Sequence, residues 1–317
     1  MNFPVFDLHC DTITGLTGRD LSGSGNLRSN QMHIDLERGA TLGGYAQCFA
    51  FWSTTDMKLP YGLKVHDLFW RQVSYLQDYI DKNSDLIRQA RTGGEIRKNL
   101  EAGLISAIFT LEGPAGIGFE PGKLEKLHEL GFRISTLGWN EKNPLTGSHV
   151  TGGGLTKQGR AYVKECQRLG ILVDVSHISD EAFWQIMDIT EKPVIASHSN
   201  SRYVCNDSRN LTDEMFKAIC ATGGVAGFNL CPDFVGEHAD IDKCCDHFIH
   251  YLEIDPDGTH VALGGDLDGI PETPIGFEGV QDYPKLANRL LERGVDEMTV
   301  RNIFWNNALG VMDKCST

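Results

Sequence analysis

Eight short apolar runs recur along the chain, each separated from the next by a longer segment. The runs are VFDLH (5–9), GGYAQCFAFW (43–52), LISAIFTLEG (104–113), FRISTLGW (132–139), ILVDVSH (171–177), PVIASH (193–198), GVAGFNL (224–230) and HVALGGD (260–266). They are rich in β-branched and aromatic residues, the composition of buried strands. Between them, segments 63–80, 123–131, 156–170, 179–190 and 212–224 are helix-like. Ser179 and Thr212 each precede two acids, the pattern of a helix start, and Gly131 and Gly170 stand where a helix would stop. Strands alternating with helices call for a parallel sheet, because a parallel crossover needs room for a helix. A count of eight predicts an α/β fold of the closed (β/α)8 barrel type, as a single catalytic domain over residues 1–317. The rival, an open doubly wound sheet, would carry G-x-G-x-x-G after a strand, and none does so here. The glycine run TGGGL (151–155) lacks the lysine and hydroxyl of a phosphate loop and reads as a mobile loop.

Composition narrows the partners. A formal net charge of -14 argues against binding a phosphate backbone and suits a small-molecule partner. No apolar stretch reaches the length of a membrane span. The start, MNFPVFDLHCDT, has neither a basic nor an apolar leader region, so no signal peptide is expected. The nine cysteines are an odd number without regular spacing, and reduced thiols in a cytoplasm are expected. In that setting the glycosylation-like triplets at Asn206 and Asn210 carry no weight, and Cys244–Cys245 reads as structural.

The chemistry concentrates where the runs end. His9 and Asp11 close the first run, Glu112 the third, His177 the fifth, His198 the sixth, and Asp266 and Asp268 the eighth. In a barrel, the C-terminal strand ends are where a site is assembled. His9 and Asp11, two apart, can face one ion while Cys10 faces away. Imidazole with carboxylate suits zinc and similar divalent ions. Three histidines with two acids exceed the three protein ligands of one catalytic zinc and fit two ions roughly 3.5–4 Å apart sharing a carboxylate. Such a pair lowers the pKa of a shared water. A second H-x-D, His33 and Asp35, has no strand pattern and reads as structural; His66, His128, His247 and His250 fall on helix-like stretches and read as surface or packing residues.

DLHCDT, TLEG, VDVSH, PVIASHS, SRNLTDE and GGDLDG, in this order, resemble the membrane dipeptidase (renal dipeptidase) family of metallopeptidases, from about residue 5 to residue 312. That resemblance implies an amidohydrolase-like barrel with two zinc ions. It implies that His9 and Asp11 hold one zinc, that Glu112 bridges, and that His177 and His198 hold the other. Arg209 of SRN matches the arginine that binds the substrate carboxylate, and Asp266 the residue that handles the proton. In place of a substrate-contacting histidine after the fourth strand the chain has LGW, so Trp139 stands there; indole lines a pocket and donates one hydrogen bond but does not titrate. Members of the family tend to dimerise.

The expected function is hydrolysis of dipeptides, those with a C-terminal D-residue among the candidates, by a hydroxide held between the metals. Asp266 would move the proton, Arg209 would clamp the carboxylate, and Asp174, two before Ser176 and three before His177, would either orient a ligand or pack at the rim. An N-acyl amino acid deacylase or a lactamase-type hydrolase would use the same machinery. A metal-binding protein without catalysis would need neither Arg209 nor Asp266.

Overall fold

The computed structural model describes residues 3–18, 25–59 and 62–314. Eight parallel strands form a ring: β1 (Val5–Cys10), β2 (Tyr45–Trp52), β3 (Ile105–Glu112), β4 (Phe132–Thr136), β5 (Leu172–Asp174), β6 (Val194–Ile195), β7 (Ala226–Phe228) and β8 (Val261–Leu263). Seven fall inside their apolar runs, and β1 extends one residue past its run, to Cys10. Neighbours in sequence pair in space, β8 pairs back onto β1, and a single parallel bridge, Ala196 to Ala226, joins β6 to β7 and closes the barrel. One further strand, Ile87–Gln89, pairs on β3 outside the ring. Its sequence, IRQ, has one apolar residue and gives no periodicity to read.

Strand alternation builds two apolar layers. One face of the ring, with Phe49, Phe109, Val173 and Phe228, packs on helical residues such as Phe69, Tyr162, Phe183 and Phe216. The opposite face, with Phe6, Leu8, Ala46, Cys48, Ile108, Ile134 and Ile195, packs together with Trp305, Leu309 and Met312 from the C-terminal helical segment. The helix signals act as the sequence implies. Ser179 Oγ accepts the Ala182 N–H and Thr212 Oγ1 the Met215 N–H, while Gly131 and Gly170 end their helices in the left-handed region.

Strand β1 departs from strict alternation at the place that matters. Val5 and Cys10 belong to the same layer although they are an odd number of positions apart, which strict alternation would put on opposite faces. The pairing with β2 slips between Asp7 and Cys10, so the strand changes parity there. Asp7 stabilises the slip. It is fully buried, and its Oδ1 accepts the His9 N–H (3.0 Å) and the Gly265 N–H (2.9 Å), while Tyr283 donates to its other oxygen. Burial raises the Asp7 pKa, and these three donors oppose the rise.

Two glycines permit the closing seam. A Cβ on Gly227 or Gly264 would come within 2.0 Å or 1.7 Å of the Ser197 carbonyl oxygen, so the backbone beside His198 passes where only glycine fits. Because the obstacle is backbone, Gly264→Ala should destabilise the fold by about 2–3 kcal/mol, the upper range of overpacking costs. Urea unfolding checks this, and an unchanged midpoint would show that the seam tolerates a side chain.

Candidate metal centre

The site residues gather at the C-terminal end of the ring, but not all within strands. His9 is in β1 and Glu112 ends β3, whereas His177, His198 and Asp266 each lie three residues past the end of β5, β6 and β8. The sequence runs extend further than the strands because the chain turns there. His177 (φ 71°), Asp266 (φ 57°) and Asp268 (φ 68°) adopt the left-handed region, which side chains other than glycine enter at a cost of about 1–3 kcal/mol each. This strain is concentrated where the polar groups converge.

Glu112 stands at the centre, 2% exposed. One of its oxygens, Oε2, lies 3.4 Å from His9 Nε2; the other, Oε1, lies 3.0 Å from His177 Nε2 and 3.8 Å from His198 Nε2. His9 Nε2 is also 3.6 Å from Asp11 Oδ2 and 3.8 Å from Asp266 Oδ1. The His9 and His198 rings stack at 3.7 Å. Two overlapping sets, His9–Glu112–His198 and His9–Asp11–Asp266, each place their ligand atoms within 4.8 Å of one another.

Hydrogen bonds on the far side of two imidazoles decide which nitrogen faces inward. Asn140 Oδ1 can only accept, so His177 Nδ1 (2.9 Å away) carries its proton. His198 Nδ1 lies 2.6 Å from Ser197 Oγ, which donates to Asp174 Oδ2 at 2.5 Å. That carboxylate also accepts the Ser176 and Ser197 N–H groups, both at 2.9 Å, so Asp174 orients His198 rather than merely packing at the rim. Both Nε2 atoms therefore present lone pairs, yet they are 2.9 Å apart. Two lone pairs at that distance repel unless a cation lies between or beside them. His9 Nε2 and Glu112 Oε2 are also buried with no hydrogen-bond partner. The donor set of imidazole nitrogens and carboxylate oxygens suits zinc or a similar divalent ion.

Electrostatics agree with that fit. Burial, reinforced by Asp11 and Asp266, raises Glu112 to about 7. Burial also raises Asp266 to about 6, while His9 and Arg209 oppose the rise. Burial and nearby cations hold His177 and His198 well below the usual histidine value, in the neutral form that binds metals.

Around this centre lies a cavity of about 280 Å³, the size that takes a small molecule. Asp11, Glu112, Trp139, Asn140, His149, His177, Phe234, Asp266 and Asp268 are on its wall. Trp139 meets Trp52 edge to face at 5.2 Å and forms an aromatic side of the cavity. Arg209 is 3% exposed and outside the lining, with its guanidinium 5.8 Å from the Phe234 ring. One arm donates to Ser199 Oγ (2.6 Å); Nε and Nη2 have no partner.

Asp268 differs from Asp266. Its two oxygens accept the Thr12 hydroxyl and the His33 N–H, both at 2.6 Å, and its own N–H donates to His33 Nδ1. It latches the loop after β8 to the segment after β1. Asp35 caps the helix Leu36–Gly39, so His33 and Asp35 are structural. His66 and His128 lie at or near the surface and His247 and His250 are packed inside; the Cys244 and Cys245 thiols are buried and unpaired. The glycine segment read as mobile is instead tied down: Ser179 Oγ donates to Gly153 O (2.6 Å) and Leu155 N–H to Gln185 Oε1 (2.6 Å). Sequence reasoning missed Asn140, His149, Ser197 and Asn229, whose side chain donates to Asp266 Oδ2 at 2.9 Å. A polar residue directly beside a histidine, as in Ser197–His198, is the one signal that was present.

The family model for membrane dipeptidase (peptidase family M19) matches residues 1–317. The chain belongs to this family, and with it to the metal-dependent peptide-bond hydrolases. Dipeptidase verJ from Clonostachys rogersoniana is 31% identical over 294 residues, 89% of this chain and 75% of that protein. A metallopeptidase from Rhodobacter sphaeroides, solved with a phosphinate mimic of the dipeptide L-Ala-D-Ala, superimposes with a TM-score of 0.88 at 25% identity, over 99% of this chain and 100% of that one. An amidohydrolase from Pseudomonas aeruginosa shares the fold, with a TM-score of 0.80 at 21% identity over 99% of this chain and 96% of that one. Two uncharacterized dipeptidases of Schizosaccharomyces pombe are longer, and the match spans 55% and 52% of their lengths.

Metal must displace protons from the raised carboxyls. Affinity for zinc should therefore climb as pH rises from 5 to 7, where Glu112 loses its proton, and go on climbing above 7. Burial lowers the His9 pKa, but the Glu112 and Asp11 carboxylates outweigh it and hold His9 well above the usual histidine value, so its proton must also leave. Chelator competition across that range checks this; an affinity indifferent to pH would remove Glu112 from the ligand set.

Proposed function

We propose that this protein is a dipeptidase that holds two zinc ions and cleaves the single peptide bond of dipeptides, including those ending in a D-residue. The observation that carries the reading is the division of Glu112: one oxygen toward His9, the other toward His177 and His198. A carboxylate placed this way suits a bridge between two ions, one beside His9 and Asp11 and one beside His177 and His198. Bound there, the ions would supply a Lewis acid for the scissile carbonyl and lower the pKa of a water.

The remaining work falls to side chains. Asp266, held by Asn229 on one oxygen, has its other oxygen toward His9 and the cavity. It takes the proton of the attacking water and passes it to the leaving amine. Arg209 has two N–H groups without partners, and a guanidinium fork matches a carboxylate on both of its oxygens. It receives the C-terminal carboxylate, which limits the substrate to short peptides. Trp139 supplies an apolar wall and takes no proton. The C-terminal D-residue is suggested by the ligand in the Rhodobacter sphaeroides enzyme.

Among the described residues no helix is long and apolar enough to cross a membrane, and all eight cysteines are free thiols. Free thiols suit a reducing compartment, and the cytoplasm is the proposed location.

Two substitutions test the assignment. Glu112→Gln should abolish most metal binding and activity; a fully active variant would exclude the bridge. Arg209→Ala should lower kcat/KM by about 10–100-fold for dipeptides with a free carboxylate, the range of charged hydrogen bonds. Amide-blocked dipeptides should change far less. An equal loss on both substrates would refute the clamp, and an assay on paired L-L and L-D dipeptides reads the stereochemical claim.

A further inference from the structure

One amide oxygen joins the two halves of the site. Asn140 Oδ1 accepts from His177 Nδ1 at 2.9 Å and from His149 Nε2 at 2.9 Å. A carbonyl oxygen has two lone pairs, so these bonds saturate it and fix the amide's orientation. With its Nε2 protonated, neutral His149 has a lone pair on Nδ1, which accepts from Ser208 Oγ at 3.1 Å. Ser208 immediately precedes Arg209. The loop around it is held at several points: Ser208 O accepts from Arg202 Nη2 (3.1 Å), Asn210 O from Arg202 Nε (2.8 Å), and Asp207 Oδ1 from Arg209 N (2.7 Å). The His149 N–H also donates to His177 O at 2.8 Å, so backbone and side chain tie the same two residues.

We propose that Asn140 is a positioning residue that holds the metal-facing tautomer of His177 and, through His149 and Ser208, sets the loop that carries Arg209. The inference rests on reading His177 as a metal ligand and Arg209 as the carboxylate clamp. It also assigns His149 a role that its place on the cavity wall would not suggest. Both ring nitrogens are engaged within the protein, so in this arrangement neither is turned to a substrate in the cavity. Its function is mechanical: it carries a hydrogen-bonded link from the metal side of the site to the side that receives the substrate's carboxylate. Loss of Asn140 would release both ends, whereas loss of Ser208 would release only the Arg209 loop.

The test uses the full-length chain with Asn140→Ala, Asn140→Asp, His149→Ala and Ser208→Ala. Zinc affinity is measured by chelator competition, and kinetics on one dipeptide with its carboxylate free or amidated. Asn140→Ala should weaken zinc binding by about 10–100-fold, the usual effect of removing a ligand's hydrogen-bond partner. Asn140→Asp, which retains an acceptor for both imidazoles, should recover most of that loss. His149→Ala and Ser208→Ala should leave zinc affinity close to wild type and raise KM for the free dipeptide by about fivefold, the scale of one hydrogen bond, with kcat falling less. Undiminished zinc binding in Asn140→Ala, no recovery in Asn140→Asp, or equal effects of Ser208→Ala on free and amidated substrate would overturn the proposal. Should Asn140→Ala fail to fold, as judged by its circular dichroism, Asn140→Asp and Ser208→Ala still decide it. A wild-type protein that binds no zinc, or an Arg209→Ala variant without carboxylate selectivity, would refute the proposed function itself; intact behaviour there with silent variants refutes this inference alone.

Discussion

The buried carboxylate of Glu112, set between imidazoles on both sides, is the constraint on which the rest of the structure turns. Its environment is costly without a cation. Asp11, Glu112 and Asp266 crowd together at the wall of one cavity, the first two buried and the third largely so, and burial drives Glu112 up to about 7 and Asp266 to about 6. Two imidazole lone pairs face each other at 2.9 Å beside them. Each of these is unfavourable alone, and each is relieved by positive charge at the same place. A divalent ion offsets carboxylate repulsion, occupies the lone pairs, and gives His9 Nε2 and Glu112 Oε2 the partners they lack.

Such a centre must be held rigidly, because its parts repel before a cation arrives. The barrel does this by local devices at the ends of its strands. A parity change in β1, stabilised by Asp7, brings His9 toward Glu112. Left-handed turns at His177 and Asp266 aim their side chains, and the close approach of Gly227 and Gly264 to Ser197 sets the backbone beside His198. Behind the imidazoles, Asp174–Ser197 and Asn140 fix which nitrogen points inward. The apolar layers provide stability, and this polar scaffolding provides geometry.

Much of this was legible in the sequence, for physical reasons. Eight buried parallel strands are continuous apolar runs, and each run was visible even where the strand proper is short, as in Val194–Ile195. The ligating residue types stood at the run ends, where a barrel gathers its chemistry. What could not be read depended on local conformation. The strand Ile87–Gln89 lacks a pattern of its own, and the parity change in β1 leaves no mark in residue type. Asp266 and Asp268 look equivalent in GGDLDG, but only the fold commits Asp268 to Thr12 and His33. The segment 151–155 reads as mobile from its glycines, yet side chains distant in sequence secure it. Asn140 and His149 carry no motif, because their importance comes from one shared oxygen atom.

The proposed function requires side chains from separate strands to surround a pair of cations that share one carboxylate. Anomalous diffraction at the zinc absorption edge, from crystals of the zinc-loaded protein, addresses it most directly. We expect two peaks, one on each side of the Glu112 carboxyl group, the first beside His9 and Asp11 and the second beside His177 and His198. A single peak, or peaks remote from Glu112, would contradict the account.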